Sequence, residues 1–254
     1  MNTAIAARRP CQGVMQILQF NWRMYAAATA AIGVCWLAAA LLPGAARAAV
    51  LWVSAPAAFW LASSLAVSHY VYDRFPLYDL DWLKRALMRK PRRWLNVHSG
   101  WDETSWLLAG VFPEAAGHAA DIFDPHVMTE PSIRQAHRMN RSAMAAAPAR
   151  FDALPFDSGV FDAVFAIFAA HELRKYAQRV QFFQEVARIL APGGEFVLVE
   201  HARDWPNFLA FGPGFLHFFS ARAWRSAVRD AGLTMWMEFR MTPFVRVYIL
   251  RSTL

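Results

Sequence analysis

Apolar positions fall into two regimes along the chain. From Met24 to Leu42, MYAAATAAIGVCWLAAALL, no residue is charged, and a second uncharged run extends from Ala48 to Tyr70. Each run is long enough for the roughly 20 helical residues that cross a bilayer core. Pro43-Gly44 separates them, and such a pair breaks helical continuity, so the pattern predicts a helical hairpin. Trp22, Tyr25, Trp52, Tyr70 and Tyr72 lie near the run ends, where amphipathic rings favour the membrane interface. Two other forms fit the same runs. One is a soluble alanine-rich hairpin, since Ala is only mildly apolar and Pro56 interrupts the second run; the other is a re-entrant or interfacial hairpin. A signal peptide has one short apolar core and no second full span after it.

From Trp94 onward short apolar runs alternate with helical patterns. Strands are expected over Trp94–Val97, Gly117–Ile122, Phe161–Phe168, Phe196–Glu200, Leu233–Phe239 and Phe244–Leu250. Helices are expected over Glu103–Phe112, Ser132–Met139, Gln178–Leu190 and Ala221–Ala231. FDAVFAIF lacks polar alternation, as a central strand covered on both faces does. Val180, Phe183, Val186, Ala187 and Leu190 form one helical stripe, which Pro192-Gly193-Gly194 ends. Alternating strands and helices predict an α/β layered sheet with helices on both faces. Ligands of such sheets bind at the carboxyl ends of the strands.

Charge sharpens the division. Of the 254 residues, 57% are apolar, and the 26 Lys+Arg against 19 Asp+Glu give a net charge of +7. Arg8, Arg9 and Arg23 precede the hairpin; Arg74, Lys84, Arg85, Arg89, Lys90, Arg92 and Arg93 follow it; its turn holds only Arg47. The positive-inside rule then puts both termini in the cytoplasm. KRALMRKPRR suits either anionic headgroups, at about 1 kcal/mol per basic residue, or a solvated linker. The expected organisation is a basic segment 1–23, a hairpin 24–72, a basic juxtamembrane linker 73–93 and a catalytic domain 94–254. No nucleic-acid motif accompanies the basic residues, so nucleic acid is not an expected partner. Cys11 and Cys35 form no CxxC pair. The eight histidines show no metal-ligand spacing such as HExxH, and nothing in the sequence argues for a metal. The only biased stretch is alanine-rich, near Ala143.

The domain carries an ordered set of motifs: Leu154-Pro155-Phe156, Phe161-Asp162, Arg188-Ile189-Leu190 and Pro192-Gly193-Gly194. In ALPFDSGVFDAVFAIFAAHEL and FFQEVARILAPGGEFVLVEHA the chain resembles the class I S-adenosylmethionine-dependent methyltransferases, most of all the branch with the ubiquinone and menaquinone C-methyltransferases. The resemblance covers roughly Trp94 to the C-terminus. It implies a Rossmann-like sheet and S-adenosylmethionine as cofactor. The family's first loop reads roughly [DE]-x-G-x-G-x-G; here Asn96, His98, Gly100 and Asp102 stand at those positions, and only Gly100 is retained. The implied cofactor-binding residues are Asn96, His98, Ser99 and Gly100, with Asp121 at the end of the second strand, where a carboxylate accepts ribose hydroxyls. Asp152 and Ala153 precede LPF, near where the family places an acid toward the adenine; Arg150 is the alternative alignment. Asp121 also suits a helix cap or turn, and His98 suits equally a structural histidine satisfied by backbone groups.

Methyl transfer from a sulfonium is an in-line displacement, in which the protein aligns donor and acceptor and removes a proton where one must leave. His171 and Glu172 follow one buried strand; Glu200, His201 and Arg203 follow another. Histidine has the unperturbed pKa of a general base, so His171 and His201 are the candidate catalytic residues, though each also suits a loop-fixing role. RDWPNFLAFGPGFLHFFSARAW lies where the family has a substrate-covering insertion. An apolar, glycine-hinged segment suits a lipophilic acceptor or plain packing on the hairpin. The expectation is a membrane-anchored methyltransferase acting on a hydrophobic or membrane-associated small molecule. The altered glycine loop favours the alternative, an inactive methyltransferase-like binding module at the membrane. A nicotinamide oxidoreductase fits less well, because no full GxGxxG is present.

Overall fold

The computed structural model describes residues 8–140, 142 and 144–252. Residues 1–7 of the basic N-terminal segment and Ala143 of the alanine-rich stretch lie outside the described residues. The elements run α1 (Gln12–Phe20), α2 (Trp22–Leu41), α3 (Gly44–His69), α4 (Leu83–Ala86), β1 (Arg93–His98), α5 (Ser105–Val111), β2 (Ala116–Asp121), α6 (Pro131–Met139) and β3 (Ala146–Pro148). They continue with β4 (Phe161–Ile167), α7 (Tyr176–Ile189), β5 (Leu190–His201), α8 (Trp205–Phe211), α9 (Ala221–Asp230), β6 (Leu233–Arg240) and β7 (Val245–Ser252). The chain forms two compact units. One holds Arg8–Phe75 and Asp204–Phe215; the other holds Pro76–Arg203 and the chain from Leu216 onward.

In the helical unit, α2 and α3 are the two expected apolar runs, with bounds shifted by a few residues. Both are long and apolar enough to cross a membrane by length and composition. Trp36 Nε1 donates to Ser54 Oγ at 3.1 Å, and the Tyr25 and Ser64 hydroxyls meet at 3.1 Å. These pairs run in opposite sequence directions, so the helices are antiparallel. Polar pairs of this kind tie helices whose remaining contacts are apolar. Large side chains stay outside: Leu37 is 71% exposed, Trp52 79% and Val53 81%. The Asp73 carboxylate accepts from the amides of Gly13 and Val14 at 2.6 and 3.1 Å, which satisfies the open N–H groups at the start of α1. Helix α8, which the hydrophobic pattern does not announce, packs on α3: the Phe208 ring meets Trp60 edge-on at 5.5 Å, and Ser63 Oγ donates to the Leu209 carbonyl at 3.4 Å. Gly212 has φ +54°, and a Cβ there would lie 2.4 Å from the Trp60 ring.

The second unit is a seven-stranded sheet in the order β3-β2-β1-β4-β5-β7-β6. Strands β3, β2, β1, β4 and β5 are parallel, and β7 is antiparallel to both β5 and β6. The expected α/β layered sheet is therefore present. β3 is an edge strand of three residues, too short to leave a period. The motifs have structural causes. Asp162 of Phe161-Asp162 accepts from the amides of Arg92 and Arg93 at 2.8 and 2.9 Å, which sets the start of β1 beside β4. Pro192-Gly193-Gly194 lies in an irregularity. Pairing jumps from Phe161–Leu190 to Ala163–Glu195, so the intervening residues of β5 loop out, with Gly193 at φ +75°.

Candidate active site

The carboxyl ends of β1 and β2 lie side by side in the sheet. His98 ends β1 opposite Asp121, which ends β2. Asp121 Oδ1 accepts from the amides of Gly100 and Phe123 at 2.7 and 3.0 Å. Gly100 has φ +82°, and a Cβ there would meet His137 Cβ at 3.0 Å and Phe123 at 3.2 Å. This is the close-approach position that glycine alone fills without strain. The His137 ring stacks on Phe123 at 4.1 Å, with Nδ1 3.8 Å from Asp121 Oδ2. Neither Phe123 nor His137 was among the expected site residues. Both come from segments whose approach to the first loop depends on the β1–β2 pairing.

His98 is buried, and neither ring nitrogen has a hydrogen-bond partner; the nearest carboxylate oxygen, Asp121 Oδ1, is 3.6 Å from Nδ1. A satisfied structural histidine would have one of them paired. Asn96 donates from Nδ2 to Thr104 and Ser105 at 2.9 and 2.8 Å and more weakly to Asp102, while its buried Oδ1 is unpartnered. The Asp102 carboxylate organises the loop. Oδ1 accepts from the amides of Thr104 and Ser105 at 3.2 and 3.0 Å, at the start of α5, and Oδ2 accepts from Ser142 Oγ at 2.6 Å. Side-chain hydrogen bonds thus hold a turn that elsewhere relies on glycine. Ser99 Oγ donates to the Ala169 carbonyl at 3.3 Å, linking this loop to the one after β4. Arg150 grips Asp152 through two hydrogen bonds of 2.9 and 2.8 Å, and Arg150 and Ala153 form an isolated bridge.

A second cluster surrounds His171. Nδ1 donates to Glu200 Oε2 at 2.8 Å, and the His171 amide donates to Glu200 Oε1 at 3.1 Å. Nε2 lies 3.4 Å from Glu172 Oε1. The His217 ring meets His171 edge-on at 5.1 Å, and its Nδ1 is 3.2 Å from Glu130 Oε1. Arg174 Nη1 donates to the carbonyls of both His171 and His217, at 3.0 and 2.6 Å, and so holds the two loops together. Burial lowers the His171 pKa, but the Glu200 and Glu172 carboxylates outweigh it and raise it to about 10. The hydrogen bond from His217 lowers the pKa of Glu130. Sequence reasoning missed Glu130 and His217, which stand far from His171 in the chain.

His201 follows Glu200, and consecutive strand residues face opposite sides of a sheet. Its ring sits between Phe168 at 5.0 Å and Phe218 at 4.8 Å, both near-parallel, and Nδ1 donates to the Phe244 carbonyl at 3.0 Å. Phe168 has φ +52°, a conformation costly for a bulky residue and concentrated at functional sites.

Residues 117–198 match the model of a methyltransferase domain family. A demethylmenaquinone methyltransferase of Thermus thermophilus is 31% identical over 126 residues, 48% of this chain. The chain spans about half the length of that relative, 54%. Two solved structures share the fold: a SAM-dependent methyltransferase from Aquifex aeolicus (TM-score 0.50, 15% identity, 68% of this chain and 88% of the other) and a Pyrococcus horikoshii protein (TM-score 0.52, 17% identity, 71% and 97%). The residues at the β1 and β2 ends fit S-adenosylmethionine. Gly100 admits close approach, Asp121 offers a carboxylate, and the unpartnered atoms of His98 and Asn96 are buried polar groups in need of partners. The matched segment runs from β2 into β5, and the sheet that contains it has the fold of these two solved structures.

Proposed function

We propose that the protein is an S-adenosylmethionine-dependent methyltransferase, anchored in a membrane by the α2–α3 hairpin with its catalytic domain cytoplasmic, and acting on a hydrophobic or membrane-associated small molecule. The observation that carries this reading is the occurrence, in one chain, of a class I sheet with Asp121 closing β2 and of two helices able to cross a bilayer. Basic residues flanking the hairpin support the orientation. The Thermus relative is named for demethylmenaquinone, and the acceptor class proposed here is of that lipophilic kind.

In this reading Asp121 Oδ2 accepts from the ribose, Gly100 and Ser99 line the amino-acid end, and His98 and Asn96 find their missing partners there. Asp152 and Ala153 stand on the adenine side. When bound, the cofactor supplies an electrophilic methyl group on a sulfonium. The chain's own task is to align the acceptor, exclude water and handle its proton. His171, through Nε2 beside Glu172, and His201, in its aromatic wall, are the proposed acceptor-side residues. Calorimetric titration of the purified protein with S-adenosylmethionine tests the reading. Saturable binding with one site per chain is expected. No heat at millimolar ligand would favour the inactive-module alternative instead.

A further inference from the structure

We propose that His171, Glu172 and His217 form a binding site for a divalent transition-metal ion such as Zn2+. Among the described residues, these three bring one ligand atom each to within 4.8 Å of one another. His171 Nε2 and Glu172 Oε1 stand 3.4 Å apart, close to the ligand–ligand spacing that bonds of about 2.0–2.1 Å give in a tetrahedral site. The Glu172 side chain is 8% exposed, and its Oε2 is buried without a hydrogen-bond partner. A buried polar oxygen in that state calls for a partner.

The surroundings repeat a pattern that metal sites need. A ligating histidine is fixed by a hydrogen bond from its other nitrogen, commonly to a carboxylate. Here both rings have that support on Nδ1: His171 from Glu200 at 2.8 Å and His217 from Glu130 at 3.2 Å. Nε2 is then the nitrogen each ring can offer an ion, which on His171 would take the place of the proton now facing Glu172 Oε1. Arg174 hydrogen-bonds to the backbone of both histidines, so the loops that carry the ligands are tied before any ion arrives. Two imidazoles and one carboxylate suit Zn2+ and its first-row neighbours rather than Mg2+ or Ca2+, which prefer all-oxygen shells. Three protein ligands leave a coordination position open, the arrangement of catalytic rather than structural sites. A hydroxyl or enol oxygen of the acceptor fits that position. This last step rests on the methyltransferase reading above; the metal site itself does not.

The test uses the full-length protein in detergent, stripped of metal by a chelator and titrated with Zn2+ in a calorimeter and with Co2+ by visible absorption. One equivalent per chain is expected, with a Co2+ spectrum of low coordination number. His217→Ala and Glu172→Gln should each weaken Zn2+ binding by at least about tenfold. Glu200→Gln, which alters only the carboxylate behind His171, should weaken it by about 10–100-fold. Glu114→Gln, on the exposed surface, should change nothing. Far-UV circular dichroism checks that each variant is folded, and a parallel S-adenosylmethionine titration reports separately on cofactor binding. Absence of stoichiometric Zn2+ binding by the wild-type protein overturns the proposal, and so does binding that folded His217→Ala and Glu172→Gln variants leave unchanged.

Discussion

Arg188 donates through Nη2 to the carbonyl of Leu154 at 3.0 Å. One turn earlier, Glu185 accepts from the Leu154 amide at 2.8 Å, and Arg188 also reaches the Phe156 carbonyl at 2.8 Å. Two motifs separated along the chain are thus one device: the arginine of Arg188-Ile189-Leu190 clamps the Leu154-Pro155-Phe156 turn against α7. Arg188→Ala should destabilise the fold by about 1–3 kcal/mol, the range for lost charge-assisted hydrogen bonds at a partly exposed site. Denaturation by urea measures it, and an unchanged midpoint would mean the clamp contributes nothing.

The same clamp predicts a pH dependence. The hydrogen bond from Arg188 lowers the Glu185 pKa below the ordinary carboxylate value, with the Leu154 amide assisting. Its folded pKa lies below its unfolded one, so the unfolded chain binds more protons in acid. The stabilisation is full above the ordinary glutamate range and fades as pH falls through the folded pKa. The stability gap between wild type and Glu185→Gln should therefore narrow from neutral pH toward about pH 3. A gap that stays constant across that range would contradict the assignment.

Cofactor affinity should depend on Asp121. Asp121→Asn keeps an oxygen for the Gly100 and Phe123 amides but removes the charge, so the loop persists while ribose binding weakens. A loss of about 1.5–3 kcal/mol is expected, the range for hydrogen bonds to a charged group. Equal affinity of variant and wild type, by calorimetry, would remove Asp121 from the site.

The hairpin should hold the protein in membranes through a carbonate wash, with the sheet domain open to protease on the cytoplasmic side. Intact protein in the soluble fraction would rule out anchoring by α2 and α3.

On the acceptor side, Glu200 and Glu172 keep His171 protonated near neutral pH, so it would serve as a proton donor or charged anchor, and His171→Ala should lower single-turnover rates while cofactor affinity is retained. His201→Phe keeps a flat ring between Phe168 and Phe218 but loses the hydrogen bond to Phe244; a similar drop would assign His201 a chemical role. Wild-type rates in both across pH would leave the two histidines as loop-fixing residues only.

Local pattern was enough for much of this protein. Uncharged runs of membrane length, a Pro-Gly break and flanking arginines specify two helices and a turn, because those preferences act within a few residues. Alternating apolar runs and helical stripes located β1, β2, β4 to β7 and the helices α5, α6, α7 and α9, and the ordered motifs pointed to the family. Other features belong to the tertiary structure. Edge strand β3 is three residues long, and α8 owes its place to Trp60 and Ser63 of α3, which no local pattern announces. His98 stands where the family has glycine, and only the pairing of β1 with β2 shows its ring buried and unpartnered beside Asp121. Glu130, His171, Glu172, Glu200 and His217 come from four separate segments and carry no spacing between them. Their convergence depends on strand order, on the register of β4 with β5 and on the Arg174 contacts, which are long-range packing outcomes that no periodicity encodes.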